Sequence, residues 1–104
     1  MTVTTIGTTS VHVDAEGFLT DYHEWNEELG IQLASGIGIG LTDAHWKAIR
    51  FLRQDFAEQG ETATLRRVST LSGIPVRELF TLFPGKPAKK MAYIAGLRKP
   101  VGCV

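Results

Sequence analysis

Glycine and proline cut this chain into short pieces, and that punctuation limits what it can fold into. Gly17, the run Gly36-Ile-Gly-Ile-Gly40, Gly60, Gly73, Pro84-Gly85 and Gly96 follow one another at short intervals. Regular structure rarely passes through such points, because glycine gives up backbone order and proline lacks the amide donor. The segments between breaks carry apolar residues at helical spacing, so the chain should build a bundle of short helices. At 104 residues and 43% hydrophobic content, it has material for one core but not for a deep, substrate-enclosing cleft.

The start differs from the rest. Thr2 to Ile6 and Ser10 to Val13 are rich in β-branched residues around Gly7-Thr-Thr, which predicts a β-hairpin lying against the helices. Asp14-Ala-Glu-Gly17 is a turn, and Phe18 and Leu19 supply apolar anchors for the entry to the first helix. Asp21 and Glu24 have capping-box spacing, and Tyr22, Trp25, Leu29 and Leu33 form one stripe, predicting that helix to about Ala34. The glycine run after it lacks the preceding strand and the spacing of a dinucleotide fingerprint. Thr42 should cap a second helix, with Trp46, Ile49, Phe51, Leu52 and Phe56 inward and Gly60 ending it. His45 beside Trp46 reads better as a hydrogen-bonded, half-buried residue near a helix start than as an acid or base.

Thr64 to Leu71 predicts a third helix with Leu65, Val68 and Leu71 inward. Pro75 opens a fourth, with Leu79, Phe80, Leu82 and Phe83 apolar, and Pro87 opens a last one over Ala88 to Ala95. The fold class expected is mainly α: a small orthogonal helical bundle with an N-terminal β-hairpin, a helix-turn-helix-like pair and a flexible C-terminal arm. Residues 1–95 would form the bundle domain and 96–104 the arm. The third and fourth helices have the outline of a DNA-reading pair, which makes a small nucleic-acid-binding module the rival function. The second of them offers only Arg77, Glu78 and Thr81 as polar groups, whereas a DNA reader needs more base-edge donors and a basic docking face.

Formal net charge is zero, but it is unevenly spread. Through Glu61, three basic residues face ten acidic ones, a balance of −7; from Thr62 onward eight face one, a balance of +7. That polarity could steer an acidic partner or RNA to the C-terminal half. Arg66, Arg67, Lys89 and Lys90 are the residues expected to meet it. No apolar run has the length of a membrane span, the start is no signal peptide, and one cysteine supplies neither a disulfide framework nor a zinc cluster. The expected location is the cytoplasm, with no metal and no cofactor.

That cysteine, Cys103, stands next to last in Gly96-Leu-Arg-Lys-Pro-Val-Gly-Cys-Val104. Exposure and nearby positive charge favour the reactive thiolate, and Arg98 and Lys99 lie just upstream. Pro100 would limit the entropy lost on docking, and Gly102 would leave the sulfur unobstructed. A lone thiol on a basic arm suits entry into another protein's active site.

The segment Ile94-Ala-Gly-Leu-Arg-Lys-Pro-Val-Gly-Cys-Val104 resembles the C-terminal signature of the DsrC/TusE family of sulfur-carrier proteins. Asp14-x-Glu-Gly-Phe-Leu-x-Asp21 with Trp25, and Leu41-Thr-x-x-His-Trp46 with Ile49-Arg-Phe-Leu-Arg53, resemble two further family blocks. The resemblance implies a helical bundle with a hairpin and a mobile arm, with Cys103 as the sulfur-carrying residue. It implies a sulfurtransferase-type persulfide carrier rather than a self-contained enzyme. The branch that works with dissimilatory sulfite reductase has a second cysteine eleven residues upstream, where this chain has Ala92. Its absence points to the TusE-like branch, whose partners are a TusBCD-like donor relay and a tRNA 2-thiouridylase, with tRNA met through the latter. The alternative within the family is a DsrC-related role in sulfite reduction or sulfur oxidation. Arg98 and Val101 depart from the family's usual proline and threonine, which bears on partner identity more than on chemistry.

Overall fold

A computed structural model describes residues 2–100. Strands β1 (Thr2–Ile6) and β2 (Thr9–Val13) pair antiparallel, with Thr2 opposite Val13 and Ile6 opposite Thr9. The connection is Gly7-Thr8, one residue tighter than the sequence indicates, and Gly7 supplies the positive φ that such a turn needs. Only one side of β2 is covered: Val11 and Val13 are buried while Ser10 and His12 face solvent. With Leu19, Leu29 and Leu33 they form a small core between the hairpin and the helices.

The turn after β2 is held by Asp14, whose Oδ1 accepts from the amides of Glu16 (2.9 Å) and Phe18 (3.0 Å). The first predicted helix divides in two. Asp21 does cap a helical turn, accepting from the His23 amide, but that turn is a 3-10 piece, Tyr22–Glu24, which stops at Trp25. Asn26 then caps α1 (Glu27–Gly36) by accepting from the Leu29 amide at 2.8 Å. The break has a physical reason: an Asn at an N-cap offers the backbone a competing hydrogen bond, and Trp25 is extended to reach across the molecule.

Helix α2 (Asp43–Gln59) begins at Thr42 and ends at Gly60, as its sequence indicates. His45 is buried there. Its Nδ1 accepts from the Thr42 amide (3.1 Å), which leaves Nε2 to donate to the Leu82 carbonyl at 2.8 Å. The histidine thus joins the start of α2 to Leu82 and is no acid–base candidate. Helices α3 (Leu65–Ser72) and α4 (Val76–Leu82) meet at Gly73, and α5 (Pro87–Ile94) begins on proline. One expectation fails on α3: Leu71 is 54% exposed, because α4 turns away and leaves it at the outer edge with Val76 and Phe80. The main core gathers Ile49 and Leu52 of α2, Val68, Leu79 and Phe83, and Met91, Ala92 and Ile94 of α5. The described residues hold five α-helices, one 3-10 turn and the hairpin, and no described helix is long and apolar enough to cross a membrane.

Candidate functional site

The segment that leads to the thiol begins at the end of α5, and its path is set residue by residue. A helix end leaves its last carbonyls without intrahelical partners. Here each one finds a donor. Met91 receives the Ala95 amide, Ala92 the Leu97 amide and Tyr93 the Gly96 amide. The Ile94 carbonyl receives the Trp25 indole N–H at 2.8 Å, and the Ala95 carbonyl receives Arg53 at 2.7 Å. The other Arg53 terminal nitrogen donates to the Tyr22 carbonyl at 2.9 Å, and the guanidinium lies 4.2 Å from the centre of the Trp25 ring. Burial lowers the pKa of Arg53 from its ordinary value, yet an arginine remains cationic at neutral pH.

Gly96 turns the chain at φ 70°, and a Cβ there would stand 2.8 Å from the Cβ and Cγ of Trp25. Leu97 then enters the core at 1% exposure, a burial that contributes about 2 kcal/mol. The Arg98 carbonyl accepts from the Thr62 hydroxyl at 2.7 Å. Lys99 meets Glu16 at 2.8 Å, and Pro100 is buried. The hydrogen bond with Lys99 holds the Glu16 carboxyl below its ordinary value, and the same bond raises the lysine. Residues 96–100, the described part of the segment expected to form the arm, therefore rest on the bundle.

The candidate residues fall into separate places. Cys103 and Gly102 lie outside the described residues, as does Val101. The Arg98 side chain is exposed and borders a cleft of about 350 Å³ with Asp21, Tyr22, His23 and Phe56. Lys89 and Lys90 sit on α5; Lys90 donates to the Pro84 carbonyl, and Lys89 lies 3.9 Å from Glu16. Arg66 is exposed on α3. Arg67 is not a free docking group: its Nε and a terminal nitrogen grip both oxygens of Asp55 at 2.7–3.2 Å. That contact raises the arginine's pKa and joins α3 to α2 across a carboxylate that is 4% exposed.

Sequence reasoning missed Arg53 and Asp55, though their positions carry a signal. Arg53 follows Trp46 and Ile49 and precedes Phe56 on one face of α2, and Asp55 follows Ala48 and Leu52 on another buried face. A charge inside an apolar stripe needs a partner, and both have one. The spacing of Trp25 marks a core aromatic; its indole N–H has the more specific task.

Comparison with known proteins agrees with this architecture. A family model described as DsrC like protein matches residues 5–104. The chain is 36% identical to a Sulfurtransferase TusE of Sodalis glossinidius, over 92% of its own length and 95% of the relative's. It is 34% identical to that of Escherichia coli, over 90% and 93%. Among solved structures, DsrC of Allochromatium vinosum superposes with a TM-score of 0.85 at 30% identity, over 98% of this chain and 97% of that one. The oxidised gamma-subunit of the dissimilatory sulfite reductase (DsrC) from Archaeoglobus fulgidus gives 0.83 at 34% identity, over 99% and 100%. With the fold, the block residues at the root and the family match in agreement, this chain belongs to the DsrC/TusE family of sulfur carriers.

Proposed function

We propose that this chain carries persulfide sulfur on Cys103 between a TusBCD-like donor and a tRNA 2-thiouridylase in the cytoplasm, so that tRNA is met through the acceptor. The observation that favours this branch is at position 92. Ala92 is wholly buried, packed in the main core, where the two-cysteine relatives would carry their second thiol. With one cysteine in the sequence, relay can proceed through Cys103 but not through an internal disulfide. The names borne by the curated relatives point the same way. The Archaeoglobus fulgidus relative is named for dissimilatory sulfite reductase; its likeness supports the fold, and that partner is the weaker choice for a single-thiol chain.

The chemistry is a sulfur transfer without net oxidation. The Cys103 thiolate attacks the outer sulfur of the donor's persulfide, the donor's S–S bond breaks, and the donor thiolate leaves. Cys103 then bears S–SH, and an acceptor thiolate repeats the exchange upon it. Arg98 and Lys99 favour the thiolate by positive charge, in part, since Lys99 is paired with Glu16. Intact-protein mass spectrometry after incubation with a cysteine desulfurase, free cysteine and the relay proteins tests this. One added sulfur atom on Cys103, removed by reductant and absent in Cys103→Ala, is the expected result. An unmodified thiol beside a competent relay overturns the carrier role, and a loaded protein that cannot pass sulfur to the tRNA enzyme overturns the acceptor.

A further inference from the structure

A groove of about 450 Å³ opens between the turn after β2, the end of α1 and the start of α5. Phe18 and Tyr93, packed edge to face at 5.7 Å, line it together with the exposed Ile37. Lys86, Lys89 and Lys90 stand in the same lining. Lys90 is turned to the Pro84 carbonyl, whereas Lys86 is exposed and has no ion pair among the described residues. Glu16, the carboxylate of the lining, is shared between Lys99 at 2.8 Å and Lys89 at 3.9 Å, one negative charge against several lysines. An apolar floor under a net positive rim is therefore left in a chain whose formal charge is zero.

We propose that this groove docks an acidic segment of a partner protein, one bulky apolar side chain entering between Phe18, Ile37 and Tyr93 while flanking carboxylates meet Lys86 and Lys89. Two arguments select that occupant. Charge complementarity requires an anion, because the lysines outnumber the free carboxylates at the rim. The apolar floor requires an anchor that a phosphate backbone does not provide, since binding at such a centre comes from a buried apolar or aromatic group. The groove also borders the root of the thiol-bearing segment through Glu16 and Lys99, so a partner held here is placed beside the carrier's exit. In that last respect alone the inference rests on the carrier reading.

The probe is a fluorescently labelled peptide with one phenylalanine between two triplets of glutamate, added to the full-length chain without any sulfur donor. Amide resonance shifts should gather on Phe18, Ile37, Lys86, Lys89 and Tyr93, and Lys86→Glu with Lys89→Glu should raise Kd by about tenfold or more. The variant's resonances away from the rim report that it is folded. Replacing the peptide's phenylalanine by alanine should weaken binding comparably. Shifts centred elsewhere, none at millimolar peptide, or a rim that binds bulk tRNA and not the peptide would each overturn the proposal. Because no sulfur is transferred, a failure here leaves the carrier role standing, and a failure of Cys103 loading leaves the groove result standing.

Discussion

At the scale of single residues, the root of the arm is held by a few groups, each of which meets a particular backbone atom or neighbour. Gly96 combines a left-handed backbone with contact against Trp25. Gly96→Ala should lose about 1–3 kcal/mol, seen as a lower urea midpoint, because strain and collision add. Trp25→Phe keeps most of the ring but leaves the Ile94 carbonyl without its donor. That substitution should lose about 1 kcal/mol and speed hydrogen exchange at the Leu97 amide. These roles are half legible in the sequence. Helical spacing marks Trp25 and Arg53 as inward residues, but the carbonyls they meet belong to Ile94 and Ala95, whose nearness no local pattern encodes.

Among elements, the turn after β2 and the segment that follows α5 are joined by the Glu16–Lys99 pair, so pH acts on that junction. Glu16 titrates below its ordinary 4.5, hence the contact is intact above that value and is lost as pH falls through the lowered one. Lys99 titrates above 10.5, so on the alkaline side the pair survives past that point. Hydrogen exchange over residues 97–99, corrected for its intrinsic pH dependence, should be flat through neutrality and quicken in acid. Glu16→Gln should remove the acid step, and salt should weaken the contact because both groups are exposed. Element boundaries are readable wherever a cap or breaker settles them, as at Thr42, Gly60, Gly73 and Pro87. They are misread where one apolar stripe runs across two elements, as from Tyr22 to Leu33, since the stripe is continuous in space while the backbone breaks at Trp25.

For the whole molecule, the opposed charges of the two halves make encounter with an acidic partner salt-dependent, and the relay rate should fall as ionic strength rises while the unfolding temperature changes little. The burial of Leu97 and Pro100 has a further consequence, one of reach. Only three peptide steps separate Pro100 from Cys103, so the two Cα atoms can be no more than about 11 Å apart. With Cys103 as the proposed carrier, a protein that exchanges sulfur with this one must bring its reacting atom within that reach of Pro100, or else lift Leu97 out of the core to extend it.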